Sequence, residues 1–365
     1  MPLFMDFHKV ANVTVADVIT AHTADEAIQE EYGVKYHQFW VNEAEGTIFC
    51  LVEGPDAATC ELVHKMAHGN LACALTEVAP GFYERLMGKA HQIDHGLVRH
   101  TDGTVDPGYR SILVISVYGV AKVVGSKEPS LLLTPSWART IINETIALFN
   151  GRDLKWGTDD SLIGVFDDAT QSVQCALQIQ RELLQRNEQP TVFKMGISAS
   201  QPVTKDGDFF NEAIKLAHQL CSAAPNNQIL IGSLVTKLCK NDQLTLETNS
   251  LKSLNPKEEA FLSRLIKIAE AKLTDQQFDL NQLSNEVCVS RPQLYRKVMS
   301  LTGKSPHEFI HDLRMNKALE LLKQNKAGIA EIAYELGFNS PSYFTKCFTQ
   351  KFGCAPSSLV KTTAA

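Results

Sequence analysis

Residues 279–303 read DLNQLSNEVCVSRPQLYRKVMSLTG, and their pattern decides the fold of the C-terminal part of the chain. Leu280, Leu283, Val287 and Val289 mark one apolar face. Ser290 stands where a helix N-cap is expected, with Pro292 inside the first turn, where its missing N–H leaves no bond unmade. The helix that follows turns Leu294, Val298 and Leu301 inward at helical spacing. Gly303 closes it as a left-handed residue past the last turn. The layout recurs in residues 328–353, GIAEIAYELGFNSPSYFTKCFTQKFG. There Ile329, Ile332, Ala333 and Leu336 pack a first helix, Gly337 makes the turn, and Ser340 and Pro341 open a second helix whose Phe344, Phe348 and Phe352 face inward. Between the units, residues 307–323 read as a linking helix.

Two helices joined by a tight turn, the second carrying Arg, Gln and Lys on its outer face, form the layout of a major-groove reader of double-stranded DNA. Arg and Gln match guanine and adenine edges with paired hydrogen bonds, whereas Lys more often holds phosphate. The candidate DNA contacts are Arg291, Gln293, Arg296 and Lys297 in the first unit, and Ser340, Ser342, Tyr343, Thr345, Lys346 and Gln350 in the second. The segment resembles the AraC/XylS family of regulators over about 100 residues, through residues 329–353 with their G-F and P-x-x-F-x-x-x-F pattern, and through Arg314-x-x-x-Ala318-x-x-Leu321-Leu322 in the linking helix. That resemblance implies two recognition helices entering successive major grooves on one face of the DNA.

Charge separates this tail from the rest. Residues 261–365 carry 14 Lys and Arg against 9 Asp and Glu, and the preceding 260 residues carry 21 against 32, within a net charge of −6. A basic tail on an acidic body implies that only the tail meets a polyanion. The chain shows no apolar run of the ~18 residues that a membrane span needs. Its first residues show no basic stretch ahead of an apolar core, so no signal peptide is expected. The nine cysteines are scattered with no CxxC pair, which suits reduced thiols in a cytoplasmic protein.

Upstream, strands alternate with helices from about residue 110 to 248, opening on the apolar run Ile112-Leu113-Val114-Ile115. This part resembles the class III nucleotide cyclase homology domain, most strongly at residues 154–178, LKWGTDDSLIGVFDDATQSVQCALQ, and at Lys194-Met195-Gly196-Ile197-Ser198. Such an enzyme needs two carboxylates for two metal ions. By the resemblance, Ser116 stands where the first metal Asp belongs, and a hydroxyl cannot replace its charge on a hard divalent ion. The second metal Asp aligns with Asp160, or with Asp159 if the register slips. Lys215 and Gln219 fall where the family has its Asn and Arg. The expectation is a non-catalytic domain with a vestigial nucleotide position at Asp160, whose pairing would make the chain a homodimer. The alternative is a nucleotide-binding or weakly active cyclase fused to a DNA reader.

Residues 1–78 read β-α-β-β-α-β, a ferredoxin-like order. His64 and His68, four apart in a helix, share one face, and imidazole suits Ni, Zn and Cu. The segment resembles a small ferredoxin-like family that includes nickel-binding proteins, through Met5-Asp6-x-His8, Ala21-His22-x-x-Asp25, Tyr32-Gly33-Val34, Phe39-Trp40, residues 49–55 (FCLVEGP) and His64-x-x-x-His68-Gly69. The implied ligand is a transition metal, nickel first, with His8, His22, His64 and His68 leading and Cys50 and Glu53 next; an organic ligand is the alternative. His91, His95 and His100 are expected in solvent.

The expected organisation is multidomain: an α+β ferredoxin-like domain (1–80), a linker (81–109), an α/β cyclase-homology-like domain (110–248), a linker (249–260) and an all-α double helix-turn-helix domain (261–365). The expected protein is a cytoplasmic, non-enzymatic, sequence-specific transcription regulator that responds to a metal or small ligand, with DNA as partner and no membrane contact.

Overall fold

Alternation along the first strand sets the architecture of the N-terminal part. In the computed structural model, which describes residues 1–90, 92–122, 129–155, 161–186, 191–203, 208–239, 251–275, 278–325 and 327–360, β1 (Leu3–Lys9) turns Phe4, Asp6 and His8 to one side and Met5 and Phe7 to the other. The chain continues as α1 (Val15–Ile28), β2 (Lys35–Asn42), β3 (Thr47–Glu53), α2 (Ala57–Ala67) and β4 (Ala74–Val78). The helices start where side chains can cap them. Thr14 and Asp17 form a reciprocal capping pair at α1, and Asp56 accepts from the Thr59 N–H at 2.8 Å at α2. The strands run β4-β1-β3-β2, the ferredoxin-like order.

The stretch expected to be a linker, 81–109, is not a free connector. It holds α3 (Pro80–Met87), β5 (Gln92–Asp94) and β6 (Leu97–Arg99), and β6 pairs parallel with β2, extending the sheet to six strands. Leu97 is fully buried, so the hairpin is core-forming.

The middle part comprises β7 (Arg110–Lys122), β8 (Pro129–Leu133), α4 (Ser136–Leu148), β9 (Arg152–Leu154), β10 (Leu162–Phe166), α5 (Ala169–Gln185), β11 (Thr191–Ser200), α6 (Asn211–Ala223), β12 (Ile229–Ile231), α7 (Ser233–Leu238) and β13 (Leu251–Ser253). Its sheet runs β13-β12-β11-β7-β10-β9, with β8 also on β7. The four strands β11-β7-β10-β9 are antiparallel and repeat the order of the N-terminal sheet, while β12 and β13 add in parallel. Leu113, Ile115 and Val117 lie under α4 and α5 with Ile142, Val173 and Ile179. Ile112 and Val114 point the opposite way, into a core shared with α6 (Ile214, Ala217) and with Met5, Phe7, Trp40, Phe49 and Leu51 of the N-terminal sheet. The N-terminal sheet therefore buries its face opposite α1 and α2 against the middle sheet's face opposite α4 and α5, with α6 in the same core. Arg110 reinforces the junction: buried to 1% exposure, it pairs with Asp106 at 2.8 Å and Asp167 at 2.9 Å and donates to the Met87 carbonyl.

Within the second expected linker, 249–260, the described residues 251–260 hold β13 and the start of α8 (Pro256–Ala271). The described residues of the tail form α9 (Leu280–Glu286), α10 (Arg291–Thr302), α11 (Pro306–Gln324), α12 (Ile329–Glu335), α13 (Pro341–Phe352) and α14 (Ser357–Val360). Leu283, Val287, Leu294, Val298 and Leu301 pack with Leu262 and Ile266 of α8; Ile332, Leu336, Phe344, Phe348 and Phe352 pack with Met315 and Leu322 of α11. Among the described residues, no helix is long and apolar enough to cross a membrane.

Candidate functional site

Each helix pair of the tail is bounded by local chemistry. Asp279 accepts from the Gln282 N–H at 2.8 Å and opens α9. The turn into α10 bends at Cys288, which adopts φ +57, a left-handed conformation rarely open to a residue with a Cβ; Gly337 serves the same place in the second unit at φ +78. Ser290 donates its N–H to Gln293 Oε1 at 3.0 Å, and Ser340 Oγ accepts from the Tyr343 N–H at 3.3 Å. Gly303 and Gly353 end the recognition helices at φ +69 and +73.

The outer faces of α10 and α13 are open. Arg291, Gln293, Arg296, Lys297, Ser340, Ser342, Tyr343, Lys346 and Gln350 are exposed and Thr345 is half-buried. Four of them have partners within the chain: Gln293 and Ser340 in the caps just described, Lys297, whose ammonium lies 4.7 Å from the Phe261 ring centroid, and Tyr343, whose ring centroid lies 6.3 Å from that of Phe338. Tyr295, half exposed on α10, joins this face. A search for cationic and amide side chains passes over it. Ser340, Tyr343 and Gln350 also line a cleft that runs between the second unit and the middle sheet.

The second constellation lies between the N-terminal sheet and its helices. Asp6 and His8 rise from β1, Asp25 comes from α1, and His64 and His68 come from the end of α2. His64 is the hub. Its Nε2 is 2.7 Å from Asp6 Oδ2, and its Nδ1 is 3.1 Å from Asp25 Oδ2 and 3.3 Å from His68 Nε2. His8 Nε2 is 3.3 Å from the same Asp6 oxygen, and His68 Nε2 is 3.3 Å from Asp25. Asp6, His8 and His64, and separately Asp25, His64 and His68, form two compact donor groups that share His64. All but His68 are buried.

Burial shapes the charges here. It works to lower the His64 pKa, but the hydrogen-bonded carboxylates of Asp25 and Asp6 outweigh it and raise the value to about 10. Burial works to raise the Asp6 and Asp25 pKa values, and the facing imidazoles instead hold both below the usual carboxylate range. Cys50 is buried beside Asp6, which accepts its backbone N–H at 2.6 Å. Burial first, and then Asp6 and Asp25, push its thiol pKa up.

Not every expected ligand joins. Glu53, expected beside Cys50, is three residues on and so points through the opposite face of the strand; it binds the N-terminal ammonium at 3.1 Å and His37 at 3.2 Å. His22 is buried near the cluster but stands outside both compact groups. Neither of its ring nitrogens has a hydrogen-bond partner, and its nearest charge is Glu26 at 3.5 Å. Asp6 and Asp25 escape a search for imidazoles, although both lie in the motifs Met5-Asp6-x-His8 and Ala21-His22-x-x-Asp25. The donor chemistry, imidazole nitrogen with carboxylate oxygen among buried side chains, fits a borderline divalent ion, and the unpartnered His22 beside it is a buried polar group that a ligand would satisfy.

Comparison with known proteins matches both segments that carry these constellations. Residues 283–362 match the family described as helix-turn-helix domain, and residues 4–78 match the nickel responsive protein SCO4226-like family. The tail is an AraC-type helix-turn-helix domain. The N-terminal unit is an SCO4226-like domain. The Escherichia coli HTH-type transcriptional regulator YidL, itself uncharacterised, is 28% identical over 45% of this chain and 54% of its own length. The crystal structure of SCO4226 from Streptomyces coelicolor is 39% identical over 21% of this chain and 94% of that one, at TM-score 0.20. An adenylate/guanylate cyclase/hydrolase structure from Silicibacter pomeroyi is 24% identical over 38% of this chain and 83% of that one, at TM-score 0.30. The chain spans between 7% and 54% of the length of the first curated relatives it matches.

Between the SCO4226-like and AraC-type domains, the positions expected from the cyclase resemblance fall on β7 and α6. Ser116 is half-buried on β7 opposite Lys194 of β11, Lys215 is exposed on α6 and Gln219 is half-buried one turn further. Asp159 and Asp160 lie outside the described residues. Of the connector histidines, His95 is exposed, His100 is half-buried 3.9 Å from Asp106, and His91 lies outside the described residues.

Proposed function

We propose that the chain is a sequence-specific, DNA-binding transcription regulator whose AraC-type domain reads two successive major grooves. The observation that carries this is the solvent exposure of the cationic and amide side chains on two capped recognition helices. Selection from a randomised DNA pool with the full chain should enrich one consensus with half-sites about one helical turn apart. Arg291→Ala should cost about 1–3 kcal/mol on that consensus. Lys346→Ala should weaken all sequences alike and reduce the salt slope by about one. An affinity that ignores salt would overturn the reading.

The SCO4226-like domain supplies the input in this proposal. A transition metal, nickel first, would sit among Asp6, His8, Asp25, His64 and His68, with Cys50 and His22 beside them. Signal transfer requires that the metal bind DNA-competent and incompetent states unequally. The shared core with the middle sheet offers the contact through which it would pass.

The cyclase-like part serves as scaffold and not as enzyme, because Ser116, Lys215 and Gln219 replace the charges and donors that the chemistry needs. Cyclic product formed from ATP or GTP with Mn²⁺ at enzyme-like rates would reverse this. Pairing into a homodimer would use surfaces other than the sheet face opposite α4 and α5, since the N-terminal sheet and α6 already cover that face. Leu148 and Leu184, exposed on α4 and α5, are available for it.

A further inference from the structure

The cleft between the middle sheet and the second reading unit has a volume of about 1610 Å³, larger than the ~300–1,000 Å³ of ordinary small-molecule pockets. Three ammonium groups converge on it from two parts of the chain. Lys194 comes from β11, nearly buried, and donates to the Ser222 carbonyl at 3.1 Å. Lys304 precedes α11 and Lys351 lies on α13; both pair with Asp312, Lys351 at 3.0 Å. Among the described residues, Lys194 has no carboxylate within ion-pair distance, while Asp312 pairs with both Lys304 and Lys351. Arg314, one turn beyond His311 on the same wall, has an enclosed Nε with no hydrogen-bond partner. The crowding shows in the protonation. Burial, with Lys304 and Lys351, pulls the Lys194 pKa down to about 7, and burial pulls Lys351 to about 8 despite Asp312.

Cations taken out of water persist when they are paired, and with Lys194 about half charged near neutral pH these three lysines exceed Asp312 by between one and two positive charges. A phosphate monoester carries about that charge and a diphosphate somewhat more, and lysine binds phosphate as a point charge. We propose that this cleft is a binding site for a small phosphate-bearing anion, held by Lys194 from the sheet and by Lys304 and Lys351 from the AraC-type domain. The site is separate from the His/Asp cluster and does not depend on the DNA reading. Since Ser340, Tyr343 and Gln350 line the same cleft, its occupant would bridge the middle sheet and the second recognition helix and fix their relative placement.

Inorganic pyrophosphate is the probe, titrated calorimetrically into the full chain without divalent metal or DNA. Saturable binding at one site per chain is expected. Lys194→Met and Lys351→Gln should each weaken it by roughly ten-fold or more. Lys194→Arg, which keeps the charge, should retain most of the affinity and shows that loss in Lys194→Met is not misfolding. ATP titrated the same way extends the proposal to nucleotides if it binds more tightly, and confines it to the phosphate group if it binds equally. No saturable heat at millimolar pyrophosphate overturns the site. So does affinity that survives Lys194→Met and Lys351→Gln but is lost in Arg291→Ala, because the anion would then sit on the DNA-reading face.

Discussion

His64 lies between two carboxylates, each within hydrogen-bond reach of a different ring nitrogen. Both compact donor groups share His64, so under the proposed metal binding its loss removes a donor from each. In protein purified without a polyhistidine tag, His64→Ala should lower nickel affinity by roughly 100-fold in calorimetry. Glu53→Ala should leave it unchanged, because that carboxylate points through the opposite face of the strand. Equal losses in the two variants would remove the cluster as the nickel site. Asp312 makes a second prediction at this scale. Burial works to raise its pKa, and Lys351 and Lys304 outweigh that and bring it to about 2, below the ordinary 3.8. A folded value below the unfolded one stabilises the protein above about pH 4, and that contribution is lost as pH falls toward 2. It amounts to about 2 kcal/mol. Asp312→Asn should show this loss already at neutral pH, and urea titrations at pH 7 and pH 3 should give a smaller difference than in the parent.

Helix α6 meets strand β11 at Gly196, where a Cβ would come within 2.3 Å of the Ala217 carbonyl oxygen and of the Cys221 nitrogen. Both are backbone atoms and cannot rotate away, so Gly196→Ala must push α6 off the sheet. The expected cost is about 1–3 kcal/mol, read as a lowered urea midpoint. A midpoint within error of the parent would mean that the contact is looser than drawn. Local signals differ in strength from one element to the next. Helices α10 and α13 were legible because cap, Pro and closing Gly mark both ends and the inward residues keep helical spacing. The hairpin β5–β6 was not: its strands have three residues each, its turn residues resemble those of a connector, and only pairing with β2 makes them strands.

For the molecule as a whole, the deciding feature is the core shared by the N-terminal and middle sheets. Phe49, fully buried there, contributes to both, so Phe49→Ala should cost about 3–5 kcal/mol and shift the melting of the two parts as one calorimetric transition. If only an early transition moved while a later one stayed in place, the sheets would be independent domains. The covered face also redirects any pairing of chains toward the outer helices of the middle part.

By itself the sequence determined the elements whose information is local: the capped reading helices, the inward Phe344, Phe348 and Phe352, the β-α-β-β-α-β order, and the i, i+4 pair His64 and His68. Helical and strand periods carry those within a few residues. Only the tertiary structure decided which distant groups meet. Asp6 reaches His64 across 58 positions, Asp25 across 39, and Lys194 shares a cleft with Lys351 from another part of the chain. Such meetings are settled by which sheet faces bury against each other, and no local period encodes that.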